Sequence, residues 1–291
     1  LQVSEFPLSR RWEELVAQSK TDLQGVRGRG FIVFRGIPLD DWTRSQAEIF
    51  WWGLGLHLGI PGAQNNNGDL LGHVKDLGGD HRKDRQFKTN ALIELHTDAA
   101  DVVGLLCLHP SRKGTGLSSL VSSVSVYNTL LEENQRLALL MQEPRFHLDT
   151  RGTAGINYIT IPSVVHSDDG ELRTFWHSEY FRSWTQYPDA PTDTDHDMLA
   201  ALDAWDEIAN RPGYKLNMEL QRGDIQLVSN HVAVHARTGY DDTGADHARH
   251  LLRLWISLDE EQSFNNDVST FISKLKLAVA FVSGKLRRLM Y

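Results

Sequence analysis

His96 and Asp98 stand two positions apart in ELHTDAADVVGLLCLHP (94–110), directly ahead of one of the most apolar runs in the chain. In extended backbone, residues i and i+2 point to the same side. An imidazole and a carboxylate therefore converge on one point, as a divalent metal requires. The spacing alone is not selective. His147 with Asp149, His166 with Asp168, and His177 with Glu179 repeat it, and the usual meaning of such a pair is a solvated turn or a local hydrogen bond. His166-Ser-Asp168 runs into a turn at Asp169-Gly170, and His147-Leu-Asp149 leads into a second glycine-bearing turn rather than a core strand. His177-Ser-Glu179 stays in reserve.

A third donor lies in GDIQLVSNHVAVHARTGY (223–240), where His235 sits on a strand-like run with Val232 and Val234 of opposite parity facing the core. His231 shares the parity of His235, but a zinc HxxxH motif belongs on a helix with Glu after the first His. Valine stands there and the segment reads as extended, so that pairing is set aside. Two histidines and one carboxylate cap a single face of an octahedral metal and leave the opposite positions open, the arrangement of non-heme Fe(II) oxygenases. Further on, RHLLRLWISL carries Arg249 and Arg253 with shared parity inside an apolar strand, while Leu252 and Leu254 point the other way. Buried arginine requires an anion. A guanidinium fork on a carboxylate meets that need, as does an ion pair to an internal Asp or Glu.

The elements that position these residues follow from periodicity. RWEELVAQ (11–18), TRSQAEIFWWGLGLHLG (43–59), TLLEENQRLALLMQ (129–142) and DMLAALDAWDEIANR (197–211) have helical spacing. GFIVFRGIP, NYITIPSVV, LRTFWHSEYF, YKLNMELQ, DIQLVSNHVAVHAR and RHLLRLWISL read as strands, with HSDDG as a turn. SSLVSSVSVYN mixes small and β-branched residues. Many short strands with helices along one side predict a mostly β fold with flanking helices (α+β), a sandwich or jelly roll. The polar stretch over 61–95 is expected to be a loop covering the site.

With 291 residues, 41% hydrophobic, and its nine prolines and 23 glycines spread out, the chain is expected to form one domain over 1–291. Its formal charge of −8 disfavours a phosphate-tracking surface, so nucleic acid is not an expected partner. Cys107 is the lone cysteine, which points to a reducing, cytoplasmic setting. No apolar stretch reaches the ~20 residues that a membrane-spanning helix needs.

HTD at 96–98, PSRKGTGLSSLVSS at 110–123, GDIQLVSN followed by His235, and RHLLR together resemble the taurine catabolism dioxygenase (TauD/TfdA) family of Fe(II)- and 2-oxoglutarate-dependent oxygenases. The resemblance implies a double-stranded β-helix, a jelly-roll, cupin-like core with the metal at one open end. It implies that His96, Asp98 and His235 bind iron, and that Arg249 grips the distal carboxylate of 2-oxoglutarate. Ser119 would donate to that carboxylate, with Ser118 as its competitor because KGTGLSS departs from the tighter turn of many relatives. Arg253 would touch cosubstrate or substrate. The implied chemistry consumes O2, converts 2-oxoglutarate to succinate and CO2, and oxidises a small molecule, by default through hydroxylation.

The substrate is open among an amino acid, a sulfonate or carboxylate, and a larger natural product. Gln64, Asn66 and His73 in AQNNNGDLLGH, and His177 and Arg182 in TFWHSEYFRSW, are the candidate contacts. Two rival classes are a non-redox jelly-roll module binding an anion and a hydrolytic zinc enzyme on the same triad. A basic C-terminal segment over 268–291 has apolar residues at helical spacing and is expected to dock on its own domain or on a second subunit in a homo-oligomer.

Overall fold

Helix α1 (Arg10–Leu23) turns Val16, Ser19 and Leu23 inward, and strand β1 (Phe31–Phe34) follows. The computed structural model describes residues 3–24, 28–65, 67–78, 88–152, 155–166, 171–192, 195–243 and 248–258. Helix α2 (Arg44–Leu58) opens with a capping box: Thr43 Oγ1 accepts from the Gln46 N–H (3.3 Å), and the Gln46 side chain accepts from the Thr43 N–H (2.8 Å). Next come β2 (Ile60–Gly62), β3 (Gly72–Val74), β4 (Ile93–His96), β5 (Val102–His109) and β6 (Ser118–Ser122). Helices α3 (Ser123–Glu133) and α4 (Gln135–Leu140) lead to β7 (Phe146–Asp149), β8 (Tyr158–Ile161), β9 (Val164–His166) and β10 (Leu172–Thr174). Helices α5 (Tyr180–Ser183) and α6 (His196–Ala209) precede β11 (Leu216–Met218), β12 (Ile225–Ser229), β13 (Ala233–Arg237) and β14 (His250–Ser257).

Two antiparallel sheets carry the site. One has the order β1-β12-β5-β14-β2 with β3 also on β14, and the other the order β11-β6-β13-β4. Strand alternation sorts their side chains. Leu252, Leu254 and Ile256 of β14 join Leu106, Ile225 and Leu227 against Val16 and Leu23 of α1 and Trp51 and Leu54 of α2. On the second sheet, Val121 and Val234 face Val126, Leu130, Met198 and Trp205 of the other helices. Leu120 and Ala233 point the opposite way and meet Val103, Val228 and Trp255 between the sheets. Two facing sheets, each backed by helices, make the double-stranded β-helix that the sequence implied. Gly104 lets α2 approach β5, since a Cβ there would lie 2.8 Å from Trp51.

Several boundaries differ from the periodicity. DIQLVSNHVAVHAR is two strands, not one, because the Asn230 side chain bonds the backbone across the gap and the chain turns between Ser229 and Ala233. Parity from His231 to His235 is thereby lost. The helix expected over 129–142 begins at Ser123, where the Ser122 side chain caps it, and breaks at Asn134, which caps α4. The strand read in LRTFWHSEYF stops at Thr174 and continues as a short helix from Tyr180. The stretch over 61–95 is not a uniform loop: it contributes β3, β4 and most of β2, two of which pair with β14. Asn66, residues 167–170 of the HSDDG turn and the helix expected over 268–291 lie outside the described residues. No helix among the described residues is long and apolar enough to cross a membrane.

Candidate active site

Strand register brings the three donors together. His235 of β13 is the antiparallel partner of His96 on β4, and their ring centroids are 4.2 Å apart. Asp98 lies just beyond β4, where its backbone N–H donates to Asn230 Oδ1 (2.9 Å). Nε2 of His96 is 4.0 Å from Asp98 Oδ1, and Nε2 of His235 is 3.7 Å from Asp98 Oδ2. One ligand atom from each residue lies within 4.8 Å of the other two, and this is the one such group of His, Cys, Asp and Glu side chains among the described residues.

The donor chemistry fits a divalent metal. His96 Nδ1 is 2.8 Å from the Glu94 carbonyl, a contact that requires the proton on Nδ1 and leaves the Nε2 lone pair directed at the site. Asp98 Oδ2 is buried without a hydrogen-bond partner, which is costly unless a cation fills the gap. Burial, assisted by the neighbouring His235, pushes His96 down to about 4. Burial pushes Asp98 the other way, but the Arg253 guanidinium, 3.6 Å from Oδ2, together with His235 and His96, holds it well below the usual carboxylate range. At neutral pH the site therefore offers a neutral His96 imidazole and an ionised Asp98 carboxylate, the states that ligate metal.

Arg253 is held from behind. Its Nε donates to Gln64 Oε1 (2.7 Å), while Gln64 Nε2 donates to the carbonyls of Leu70 (2.9 Å) and Arg253 (2.8 Å). Gln64, expected at the substrate, instead orients an arginine and ties the segment before β3 to β14. Arg249 is 4% exposed. Its backbone N–H donates to Asp242 Oδ2 (2.7 Å), and its Nη1 has no hydrogen-bond partner. Gly116 lies beside it at φ +58, where a Cβ would come within 3.3 Å of Arg249 Nε. Cys107, in the same region, is a buried hydrophobe whose thiol burial pushes up to about 12.

The family resemblance implied Ser119 beside Arg249, with Ser118 as its competitor, and the structure turns Ser119 away. Leu120 faces the interior, so Ser118 does too, and Ser119 points outward to donate to Asn217 Oδ1 (2.7 Å). Ser118 donates to Gln226 Oε1 (2.9 Å) inside the barrel. His73 is also corrected: it pairs across the sheet with outward-facing Leu252 and contacts His250 Nε2 (3.0 Å), on the opposite side from the triad. Arg182 bonds Asp203 (2.8 Å), Asp206 (3.1 Å) and the Ser178 carbonyl (3.2 Å), a structural role between α5 and α6. His177 is the candidate contact that does reach the site. It bridges to His96 with ring centroids 5.3 Å apart and stacks on Tyr180 at 3.6 Å. Burial, then the neighbouring His96, lowers it well below its ordinary value.

Among the described residues, the other acids and histidines of such pairs have structural partners. Asp149 accepts from Ser183, Gln186 and Tyr187, and His147 Nδ1 meets Thr160 (2.9 Å). Glu179 pairs with Arg151, and His231 meets Asp101 (2.8 Å). Residues missed from sequence are Asn230, which holds the Asp98 backbone, and Arg237 with Tyr240. Arg237 has the parity of His235 and lies on the inner face opposite Ser118. Its Nη2 donates to the carbonyls of Thr89 (2.9 Å) and Ala91. The parity rule that found His235, extended two residues, would have found it.

Two histidines and a carboxylate at one end of a double-stranded β-helix define a non-heme iron oxygenase. The model of the taurine catabolism dioxygenase TauD, TfdA family matches residues 5–255. The chain is 33% identical over 286 residues to the FR-33289 synthase of Streptomyces rubellomurinus (strain ATCC 31215), covering 94% of this chain and 81% of that protein. It is 27% identical over 246 residues to the taurine hydroxylase-like protein SAT17 of Stachybotrys chartarum (strain CBS 109288 / IBT 7711), covering 80% and 62% respectively. Among solved structures it is similar to an asparagine oxygenase in complex with Fe(II), 2S,3S-3-hydroxyasparagine and succinate (TM-score 0.69, 19% identity, 88% of this chain and 82% of that one). It is likewise similar to the non-heme iron oxygenase OrfP with Fe and alpha-ketoglutaric acid (TM-score 0.63, 18% identity, 88% and 82%). The chain belongs to the taurine catabolism dioxygenase TauD, TfdA family. It is an Fe(II)- and 2-oxoglutarate-dependent oxygenase of small molecules.

Proposed function

We propose that this enzyme hydroxylates a small polar molecule, with His96, Asp98 and His235 holding Fe(II) and Arg249 taking the distal carboxylate of 2-oxoglutarate. The observation that carries the assignment is the convergence of one ligand atom each from His96, Asp98 and His235, all within 4.8 Å of one another. Iron with 2-oxoglutarate and O2 supplies an oxidant able to take hydrogen from an unactivated C–H bond, with 2-oxoglutarate leaving as succinate and CO2. The protein's part is position and charge. The contact with the Glu94 carbonyl fixes the tautomer of His96, Asn230 fixes the backbone of Asp98, and Arg253 keeps its carboxylate ionised. Ser118, on the inner face, replaces Ser119 as the hydroxyl beside the keto acid. His177, with Tyr180 stacked behind it, lies beside His96 as a substrate contact. Hydroxylation is supported by relatives of the same fold: an asparagine oxygenase complexed with 3-hydroxyasparagine, and OrfP complexed with (3S)-hydroxy-L-Arg.

The acidic charge supports an enzyme without a nucleic-acid partner, and the lone buried Cys107 supports a reducing cytoplasmic setting. The basic, apolar segment over 268–291 supports docking within one domain or in a homo-oligomer. The polar sequence over 61–95 supports a segment that covers the site. The test is anaerobic addition of Fe(II) and 2-oxoglutarate, expected to produce a visible charge-transfer band, followed by O2 and a screen for succinate coupled to a shifted product mass. Folded, metal-bound protein without the band would leave a non-redox binding module. Turnover retained with zinc and lost with iron would select a hydrolase.

A further inference from the structure

Beyond His235 the inner face of β13 carries a second basic group. Arg237, Tyr240 and Arg249 are 5%, 6% and 4% exposed. Both guanidinium carbons lie over the Tyr240 ring, at 4.8 Å for Arg237 and 5.2 Å for Arg249. Arg237 uses Nη2 on the Thr89 and Ala91 carbonyls. Its Nε and Nη1, the Nη1 of Arg249 and the Tyr240 hydroxyl are buried without hydrogen-bond partners. Neither guanidinium makes an ion pair among the described residues. Asp242, the acid beside Arg249, directs Oδ2 at that residue's backbone N–H (2.7 Å). Two buried like charges with unmatched donors are unstable unless an anion joins them.

We propose that Arg237 and Tyr240 complete, with Arg249, a four-donor receptor for the distal carboxylate of 2-oxoglutarate. The proposal rests on the reading of Arg249 given above. An ionised carboxylate has about four lone-pair sites on its two oxygens, and four buried donors lack partners here. Two residues along a strand span roughly 7 Å, so Arg237 stands about that far from His235. This matches the reach of a five-carbon diacid whose keto-acid end is at the metal. Ser118, opposite Arg237 on β6, belongs to the same inner face. A clamp on the Thr89–Ala91 backbone accounts for one nitrogen of Arg237 and leaves the other two unexplained.

The test is anaerobic titration of the Fe(II)-loaded protein with 2-oxoglutarate and with 2-oxopentanoate, which keeps the keto acid and lacks the distal carboxylate. Binding is read from the visible band of the chelate and folding from the melting temperature. Arg237→Gln should weaken 2-oxoglutarate by about 10- to 100-fold and leave 2-oxopentanoate unchanged, with Arg237→Lys recovering part of the loss. Tyr240→Phe removes one hydroxyl and keeps the ring beneath both guanidinium groups, so it should fold normally and weaken 2-oxoglutarate alone, by about 3- to 10-fold. If Arg237→Gln fails to fold, Arg237→Lys and Tyr240→Phe decide. Equal loss of both ligands, or no loss of either, overturns the proposal. Arg249→Gln separates the two ideas. An unchanged 2-oxoglutarate affinity in that variant sinks the reading of Arg249, whereas a selective loss there with none at Arg237 or Tyr240 sinks only the receptor.

Discussion

Replacing Gln64 with leucine should destabilise the fold and loosen the metal site together, although Gln64 is not a ligand. Three hydrogen bonds disappear: Arg253 Nε to Gln64 Oε1 (2.7 Å), and Gln64 Nε2 to the carbonyls of Leu70 (2.9 Å) and Arg253 (2.8 Å). The side chain is 1% exposed, so water does not replace them. A bond to a charged group contributes about 1.5–3 kcal/mol and each neutral one about 0.5–1.5 kcal/mol. The added apolar surface of leucine returns about 1 kcal/mol. The expected loss is about 2–5 kcal/mol. Urea unfolding of the metal-free protein measures it as a lower midpoint at constant slope. Arg253, released from Gln64, should also hold Asp98 less firmly and weaken Fe(II) binding. Gln64→Glu keeps an acceptor for Arg253 but turns an oxygen toward two carbonyls, and should lose stability with less effect on the metal. A loss below about 1 kcal/mol in Gln64→Leu, with unchanged iron affinity, would show that Gln64 neither supports the fold nor orients Arg253.

Three further outcomes are expected. Asn230→Ala removes the acceptor for the Asp98 N–H and the donor to the Ala100 carbonyl, and should weaken Fe(II) by about 10- to 100-fold in a metal titration. Trp205→Ala empties a fully buried position stacked on Trp176 at 4.0 Å, and should cost about 3–5 kcal/mol in urea unfolding. Burial, then the charge of His73, pulls His250 from 6.5 down to about 4. The folded state thus favours neutral His250, so this contribution to stability is complete above pH 6.5 and is lost as pH falls toward 4. His250→Gln should narrow the stability difference of the metal-free protein between pH 7 and pH 5, and an unchanged difference would show that His250 does not drive it.

The triad was legible from strand parity together with the family resemblance: parity puts His235 opposite the core residue Val234, but the His-x-Asp spacing recurs, and only the surrounding motifs singled out His96 and Asp98. The two arginines were legible for the same reason, since Leu252 and Leu254 marked the other face. The choice between Ser118 and Ser119 was not, because it depends on which β6 residues share the inner face with His235, a register set by pairing His235 with Leu120. Gln64 and His73 were misplaced because a polar stretch says nothing of the long-range pairing of β3 with β14. The turn at Asn230 was hidden by an unbroken strand-like pattern. Its side chain stabilises that turn by bonding the Ala100 carbonyl and the Asp98 N–H, and neither partner can be read from local spacing.

The most direct measurement is anomalous scattering at the iron edge from crystals grown anaerobically with Fe(II) and 2-oxoglutarate. One strong peak is expected within bonding distance of His96 Nε2, an Asp98 carboxylate oxygen and His235. A peak at another cluster, such as His73 with His250, and none among residues 96, 98 and 235 would show that the triad does not hold the iron.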